Sequence, residues 1–333
     1  MPASDRDHML AAIASADRVR GSTAPNPWVG CAIVAADGAR FTGATEPPPG
    51  RHAEVVALEA ASGAARGSTA YVTLEPCSHH GRTGPCTDAL MAAGVERVVV
   101  GTLDPDEKVN GRGVAALRSA GIEVSVGTAE DLVLDQLGPY LHHRTTGRPF
   151  VTLKLAASID GRTAAPDGSS RWITGEAART DVHRMRARCD AILVGAGTVR
   201  VDDPALDVRH VEGTNPRRYV LGSVPSDARV RPCTELSGPL PEVLDRLGAD
   251  GVIDLLVEGG ARVAHDLHSA GLVDRYVVYL APMLFAGDDA HPMFVGAGAS
   301  NISQVWRGRL VEVTTLGEDI RVTLEPGRRG GAR

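Results

Sequence analysis

Three side chains of the types that bind metals, one histidine and two cysteines, lie far apart in this sequence. His52 opens a helical stretch, Cys77 follows a strand-like run within Glu75-Pro-Cys77, and Cys86 precedes a predicted helix. One imidazole and two thiolates form a ligand set for Zn²⁺ that leaves the fourth position open for water, as in catalytic zinc sites. The fold must therefore bring these three positions together.

Glu54 lies two residues after His52, in the first turn of the same predicted helix. It cannot easily share the metal, but it can reach a bound water, whose pKa zinc lowers to about 7, and carry its proton. The H-x-E…P-C arrangement is typical of zinc nucleobase deaminases, in which the glutamate is the acid–base group. A non-catalytic zinc protein, the alternative from another class, would close its site with four protein ligands and give Glu54 no role.

The segment between the two cysteines is longer than in the usual C-x-x-C pattern. Eight polar and glycine-rich residues, 78–85, separate Cys77 from Cys86, and they are able to line a substrate pocket. We interpret His79 as a substrate contact and His80 as a loop residue, neither of them a zinc ligand. Cys31 and Cys189 adjoin apolar runs and are predicted to be buried, and the odd number of five cysteines does not indicate a disulfide framework.

Strands alternate with helices along the whole chain, which predicts α/β domains. The length of 333 residues suggests about two of them, and a polar stretch that ends in Pro149 places the boundary between 1–146 and 147–333. In the first half we predict helices at 5–20, from 52, at 87–93, 113–120 and 129–143, and strands at 29–34, 69–74, 98–101 and 122–126. In the second half we predict helices at 176–188, 241–247 and 261–270, and strands at 150–156, 191–195, 219–221, 252–257, 275–280 and roughly 310–325.

Composition excludes several classes of function. The net charge of −6 argues against a nucleic-acid partner. No apolar run is long enough to cross a membrane, and the N-terminus has no apolar signal core, so we expect a cytoplasmic protein.

The second half lacks the G-x-G-x-x-G fingerprint of dinucleotide-binding domains. Instead, Glu258-Gly-Gly-Ala-Arg262 connects a predicted strand to a helix, where backbone N–H groups can hold a phosphate. A second glycine loop spans 195–198; by themselves, both are equally consistent with ordinary turns.

Lys154, one of only two lysines, lies in an apolar strand-like run, where a charge is costly without a polar cleft. The alternative is that Lys154 extends to the surface.

These motifs together resemble the bifunctional riboflavin-biosynthesis deaminase/reductase family. The resemblance covers about residues 5–325, in the family's domain order. Its motifs are Pro25-Asn-Pro27, His52-Ala-Glu54, the run from Thr73 to Cys86, Lys154 to Gly161, Arg171-Trp-Ile-Thr174, Asp202-Asp-Pro-Ala-Leu206 and Val257-Glu-Gly-Gly260.

The resemblance implies a cytidine-deaminase-like three-layer α/β/α domain followed by a dihydrofolate-reductase-like α/β domain. It also implies two reactions on small molecules. The first is zinc-dependent deamination of 2,5-diamino-6-(5-phosphoribosylamino)pyrimidin-4-one. The second is NADPH-dependent reduction of the ribosyl chain of 5-amino-6-(5-phosphoribosylamino)uracil. A homo-oligomer, dimer or tetramer, is expected from the same family.

Residue roles follow from the resemblance position by position. In the first domain the zinc ligands are His52, Cys77 and Cys86, with Glu54 as proton carrier, and the pyrimidine and ribose phosphate are held by Asn26, His79 and Arg82. NADPH contacts are Ala156, Trp172, Thr198, Asp202, Ser223, Gly260, Ala261, Arg262, Val263, Ala264, His265 and Asp266. Substrate contacts of the reductase are Ser170, Arg186, Leu206, Arg209 and Glu258, with Lys154 and Glu258 placed near the reacting sugar carbon.

Some of these assignments have alternatives. Trp172 is equally consistent with a core aromatic residue, and Arg186 and Arg209 with surface salt bridges. Where the family commonly has an aromatic–histidine pair after the glycine that matches Gly43, this chain has Ala44-Thr45, so a base-contacting imidazole is missing. The competing function is a monofunctional nucleobase deaminase with a degenerate second domain, against which the long cysteine loop and the intact second-half motifs speak.

Overall fold

The computed structural model describes residues 3–79, 84–107 and 109–327. Its contacts divide the chain into two compact units, residues 1–148 and 149–333. The last helix of the first unit continues to Thr146, three residues beyond the predicted end, and stops where Gly147 adopts a left-handed conformation with φ 74°. The polar stretch before Pro149 is therefore largely helical.

The first unit is built on one five-stranded sheet. Its strands lie in the order β2-β1-β3-β4-β5, with β1 antiparallel to both neighbours and β3, β4 and β5 parallel. The elements are α1 (Asp5–Asp17), β1 (Gly30–Val34), β2 (Arg40–Ala44), α2 (Ala53–Ala61), β3 (Thr69–Leu74), α3 (Cys86–Ala92), β4 (Arg97–Thr102), α4 (Arg112–Ser119), β5 (Glu123–Val126) and α5 (Glu130–Thr146).

The strands β3 and β4 are almost entirely buried, and each has an apolar run at its centre, Ala70-Tyr-Val72 and Val98-Val-Val100. Such continuous runs, rather than alternating ones, are typical of parallel strands that are covered on both faces. β2 was not predicted, because its sequence Arg-Phe-Thr-Gly-Ala has neither an apolar run nor a regular alternation. It forms at the edge of the sheet through pairing with β1.

The second unit contains an eight-stranded sheet in the order β10-β9-β8-β11-β6-β12-β15-β14. The first six strands in this order, from β10 through β12, are parallel to one another. β15 pairs antiparallel with β12, and β14 pairs antiparallel with β15 at the edge of the sheet. The elements are β6 (Phe150–Ser158), β7 (Arg162–Ala164), α6 (Glu176–Arg188), β8 (Ala191–Gly195), α7 (Ala196–Asp202), β9 (Arg217–Leu221), β10 (Thr234–Leu236), α8 (Leu240–Ala249), β11 (Asp254–Val257), α9 (Ala261–Ser269), β12 (Arg275–Ala281), β13 (His291–Pro292), β14 (Gly308–Leu316) and β15 (Asp319–Pro326).

Several regions of the second unit differ from the prediction, among them the short strands β7, β10 and β13, which were not predicted. The strand-rich stretch at 310–325 is a hairpin of two strands, which turns at Gly317 with φ +65°. The glycine loop at 195–198 contains the start of helix α7, which was not predicted because Gly197 lowers its helix propensity. No helix within the described residues is long and apolar enough to cross a membrane.

Gly43 fixes how closely helix α2 packs on strand β2. A Cβ at this position would overlap the backbone of Ala53 and Ala57. Because α2 begins directly after His52, this close packing also sets the depth at which that residue lies.

We predict that Gly43→Ala lowers the free energy of unfolding by about 1–3 kcal/mol, because backbone atoms cannot move aside as a flexible side chain can. Gly63→Ala is the matched control, since a Cβ there meets open space, and its effect should stay within about 0.5 kcal/mol. Calorimetric unfolding of both variants measures the difference. Equal stabilities would show that β2 and α2 do not pack as described.

Candidate active sites

The three predicted zinc ligands converge in the first unit. His52 Nδ1 lies 3.2 Å from Cys86 Sγ and 3.6 Å from Cys77 Sγ, and all three ligand atoms lie within 4.8 Å of one another. Tetrahedral zinc, with bonds of about 2.3 Å to sulfur and about 2.0 Å to nitrogen, would separate nitrogen and sulfur by about 3.6 Å. The donor set and its spacing therefore fit zinc.

Each ligand is held at the end of a regular element. His52 is the N-cap of α2, and Cys86 is the first residue of α3. Cys77 follows β3, and its sulfur accepts the backbone N–H of Cys86 at 3.4 Å. Hydrogen bonds from Cys86 and His52 lower the pKa of the Cys77 thiol, which favours the thiolate form that binds metals.

Glu75 anchors the loop that carries Cys77. No role was predicted for it from the sequence. Its buried carboxylate accepts backbone N–H groups of Gly111 at 2.9 Å and Val114 at 3.1 Å. Gly113 lies so close to the Pro76 carbonyl that a Cβ would overlap it. The start of α4 is thereby held against the loop between β3 and the first cysteine.

Glu54 lies in the first turn of α2 and is only 4% exposed. Burial, with a smaller contribution from the Cys77 charge, raises its pKa to about 7. Its carboxyl group shares one cavity of about 390 Å³ with His52 and Cys77. A group that both takes up and releases a proton near neutral pH therefore lies beside the metal ligands.

The cavity wall includes two of the predicted substrate contacts, Asn26 and His79. Arg82 and the neighbouring His80 lie outside the described residues. Thr45, which stands where the family commonly has histidine, also lines the cavity, and its hydroxyl accepts the Val29 N–H at 3.1 Å.

The sequence gave no signal for three further residues of the wall: Asp104, Tyr140 and Arg144. Asp104 follows β4, whereas the other two lie on α5. The Tyr140 hydroxyl donates to Asp104 Oδ2 at 3.1 Å. These residues are adjacent only through the fold, and no local motif marks them.

In the second unit, Lys154, Arg186 and Glu258 form a buried cluster. Arg186 donates to Glu258 through Nε at 2.6 Å and Nη2 at 3.0 Å, and Lys154 Nζ lies 3.7 Å from Glu258 Oε2. Burial alone would raise the pKa of Glu258, but the two cations lower it to about 2. The same burial lowers the pKa of Lys154.

This cluster bears on two interpretations of Arg186, as a surface salt bridge and as a phosphate contact. The Arg186 side chain is only 11% exposed, so the surface salt bridge is wrong for this residue. The Nε and Nη2 donors of Arg186, which were expected to hold a ribose phosphate, are bonded to Glu258. The role of Arg186 as a substrate contact stays a prediction. Arg209 differs, because its half-exposed side chain pairs with Asp207 at 2.8 Å.

The two glycine turns meet at the carboxyl ends of the adjacent parallel strands β8 and β11. A Cβ on Gly260 would lie 3.1 Å from Thr198 Oγ1, and one on Gly195 would lie 2.9 Å from Val263 Cγ2. Ser223 follows the next parallel strand, β9, at the same edge of the sheet. Thr198, Ser223 and Gly260 thus lie along one crevice edge, the place where α/β sheets bind ligands.

The remaining predicted contacts fall into different environments. Trp172 is 67% exposed with the Arg179 guanidinium 4.7 Å from its ring, so the core alternative is wrong. Arg171, beside Ser170 and Trp172, donates to the Asp202 carbonyl at 2.7 Å and joins their loop to α7. Leu206 and Ala264 are buried in apolar clusters, so only their backbones are left for a ligand. The other predicted contacts are partly or fully exposed: Ala156 on β6, and Ala261, Arg262, His265 and Asp266 on α9.

Comparison with known families defines the class of each unit. Residues 2–102 match the family described as the cytidine and deoxycytidylate deaminase zinc-binding region, and residues 149–322 match the RibD C-terminal domain. The chain therefore combines a zinc-dependent deaminase domain with an NADPH-dependent reductase domain.

Relatives of known name match across both domains. The riboflavin biosynthesis protein RibD of Mycobacterium tuberculosis is 43% identical, covering 94% of this chain and 95% of that protein. The RibD of Corynebacterium ammoniagenes is 46% identical over 83% of this chain and 86% of its own length.

Solved structures agree with these relatives. The Acinetobacter baumannii RibD structure superposes with a TM-score of 0.90 at 39% identity, covering 97% of this chain and 99% of that one. The chain belongs to the RibD family of bifunctional riboflavin-biosynthesis deaminase/reductases.

We predict that Cys77→Ala and Cys86→Ala each lose bound zinc, because two ligands cannot replace the three that converge here. Cys31→Ala, Cys189→Ala and Cys233→Ala are matched controls and should keep it, since these free thiols lie outside the ligand group. Metal analysis of the purified variants measures the zinc content. Full zinc occupancy without Cys86 would mean that His79 or His80 is the third ligand.

Proposed function

We propose that the first domain hydrolyses an amino group from 2,5-diamino-6-(5-phosphoribosylamino)pyrimidin-4-one and that the second reduces the ribosyl chain of the product, 5-amino-6-(5-phosphoribosylamino)uracil. The observation that carries the deaminase assignment is the convergence of His52, Cys77 and Cys86 with Glu54 in one cavity. A similar solved structure from Thermotoga maritima, 33% identical with a TM-score of 0.88, is titled with both activities on these compounds.

For deamination, zinc held by His52, Cys77 and Cys86 supplies a Lewis acid that makes water a nucleophile at neutral pH. Glu54 takes the proton from the attacking water and delivers it to the departing amino nitrogen. Its pKa of about 7 suits both transfers, because efficient acid–base groups titrate near the working pH. Asn26 and His79, together with Arg82, hold the pyrimidine and the ribosyl phosphate.

For reduction, NADPH supplies the hydride when it is bound along the edge formed by Thr198, Ser223 and Gly260. Lys154 donates a proton to the sugar oxygen as the ribose opens, and its lowered pKa favours that release. Glu258, held by Arg186, keeps a negative charge beside the Lys154 ammonium and orients it. Arg209 is the more accessible of the two predicted phosphate contacts, because it is half-exposed.

The buried Lys154–Glu258–Arg186 cluster also speaks against a degenerate second domain. Burying three charges is costly, and here every charge has a partner of opposite sign. A domain that had lost its activity would have no use for such a cluster.

We further propose a homo-oligomer, dimer or tetramer, in the cytoplasm. Strand β14 lies at the edge of its sheet with Leu310 and Val313 more than half exposed, which supports an association surface. The thiols of Cys77 and Cys86 must stay reduced to bind zinc, as they would in a reducing compartment.

We predict that Glu54→Gln keeps zinc but loses deaminase activity by about 100-fold or more, because the ligands remain while the proton carrier is gone. Zinc content and ammonia release measure the two effects. Reductase activity serves as the internal control and should be unchanged. Substantial residual deamination would remove Glu54 from its role.

We also predict that Lys154→Arg and Lys154→Met each lower reductase turnover at least about tenfold, equal to about 1.4 kcal/mol of barrier. Arginine keeps the charge but loses the compact donor whose pKa burial can tune. NADPH oxidation with the deaminated substrate measures this, with deaminase activity and zinc content as controls. A nearly silent Lys154→Arg variant would favour a lysine that only extends toward solvent.

A further inference from the structure

The deaminase cavity is poor in fixed positive charge. Among the described residues that line it, Arg144 is the one arginine or lysine, whereas four are acidic: Glu54, Glu75, Asp104 and Asp106. The proposed substrate carries a phosphate on its ribose and brings further negative charge into this cavity. A phosphate binds best to a guanidinium, which can offer it two parallel donors.

Arg144 is held in place from two sides. Its guanidinium lies 5.1 Å from the centre of the Tyr140 ring, one helical turn earlier on α5, and its Nη2 donates to the Pro25 carbonyl at 3.3 Å. The Tyr140 hydroxyl is bonded to Asp104, which fixes the ring on which the guanidinium rests. The charged group is therefore positioned before any ligand arrives.

Arg144 nevertheless has unused binding capacity. None of the ion pairs between described residues of the first unit includes Arg144. A guanidinium has five N–H donors, and one of them is bonded to protein here. Arg186 in the second unit differs, because a carboxylate occupies two of its donors.

Arg144 shares its cavity with the acid–base group. Glu54 is almost completely buried there, whereas Arg144 is half-buried and is bonded to the exposed residue Pro25, the neighbour of Asn26 in sequence. A substrate whose reacting carbon faces Glu54 would therefore lie in the same cavity as Arg144.

We propose that Arg144 binds the 5-phosphate of the ribosyl group in the deaminase site, in addition to the contacts predicted for Asn26, His79 and Arg82, and so selects the phosphorylated substrate over the free riboside. This assignment rests on the proposed deamination. Arg144 acts in binding and not in the chemical step, so its loss should change KM and leave kcat nearly intact.

The test compares Arg144→Met with the wild type on the phosphorylated substrate and on its dephosphorylated riboside. Methionine keeps an unbranched stem against Tyr140 and removes the charge. We expect the KM of the phosphorylated substrate to rise at least about tenfold, with less than about a twofold change for the riboside. Arg40→Met, an equal charge change on the exposed edge strand β2, is the matched control and should alter neither value.

A binding measurement adds a readout that does not depend on turnover. Ribose 5-phosphate should bind to the zinc-loaded wild-type protein in titration calorimetry and bind at least about tenfold more weakly to Arg144→Met, whereas Arg144→Lys should recover part of the affinity because it restores the charge. Arg144→Gln serves as the second neutral variant if Arg144→Met loses zinc.

Two outcomes would overturn the assignment: an unchanged KM for the phosphorylated substrate, or an equal rise for substrate and riboside, which would place Arg144 at the base or the sugar ring. Failure of the zinc-loaded wild type to deaminate the phosphorylated substrate would instead contradict the proposed function itself.

Discussion

The metal site of the first domain depends on the buried carboxylate of Glu75. It accepts backbone N–H groups from Gly111 and Val114, so the loop after β3 is fixed against the start of α4. Each of these N–H groups would cost about 1–3 kcal/mol if left buried without a partner. Cys77 lies two residues farther along, and its sulfur is therefore in place for His52 and Cys86 before a metal binds. Zinc then completes a site that the protein has already shaped.

The second domain uses a carboxylate at an equivalent place for a different purpose. Glu258 follows β11 as Glu75 follows β3, and both are buried at the carboxyl end of a parallel strand. Glu75 is satisfied by backbone groups and is structural. Glu258 is satisfied by Arg186 and Lys154, so it remains charged and places an ammonium at the sheet edge. Parallel strands that end at one edge make both arrangements possible.

The sequence predicted those features that depend on residue type and spacing. The grouping of His52, Cys77 and Cys86 with Glu54 was predicted because few chemistries need that set. Helix α6 was predicted with the bounds that it has. Features that depend on tertiary pairing were missed. Strand β2 forms through its pairing with β1. Arg186 pairs with Glu258, which lies 72 residues away in sequence, so no local pattern indicates the pair. The exposure of Trp172 likewise follows from the position of its loop.

Both proposed reactions retain the ribose phosphate, although one changes the base and the other the sugar. Each domain must therefore recognise the same dianion separately, while its contacts to the reacting atoms differ. Arginine suits this repeated task, because it stays charged even when half-buried and offers a planar set of donors. Arg144 in the first domain and Arg209 in the second occupy such half-exposed positions, which suits a group that must bind the substrate, hold it during the reaction and release the product.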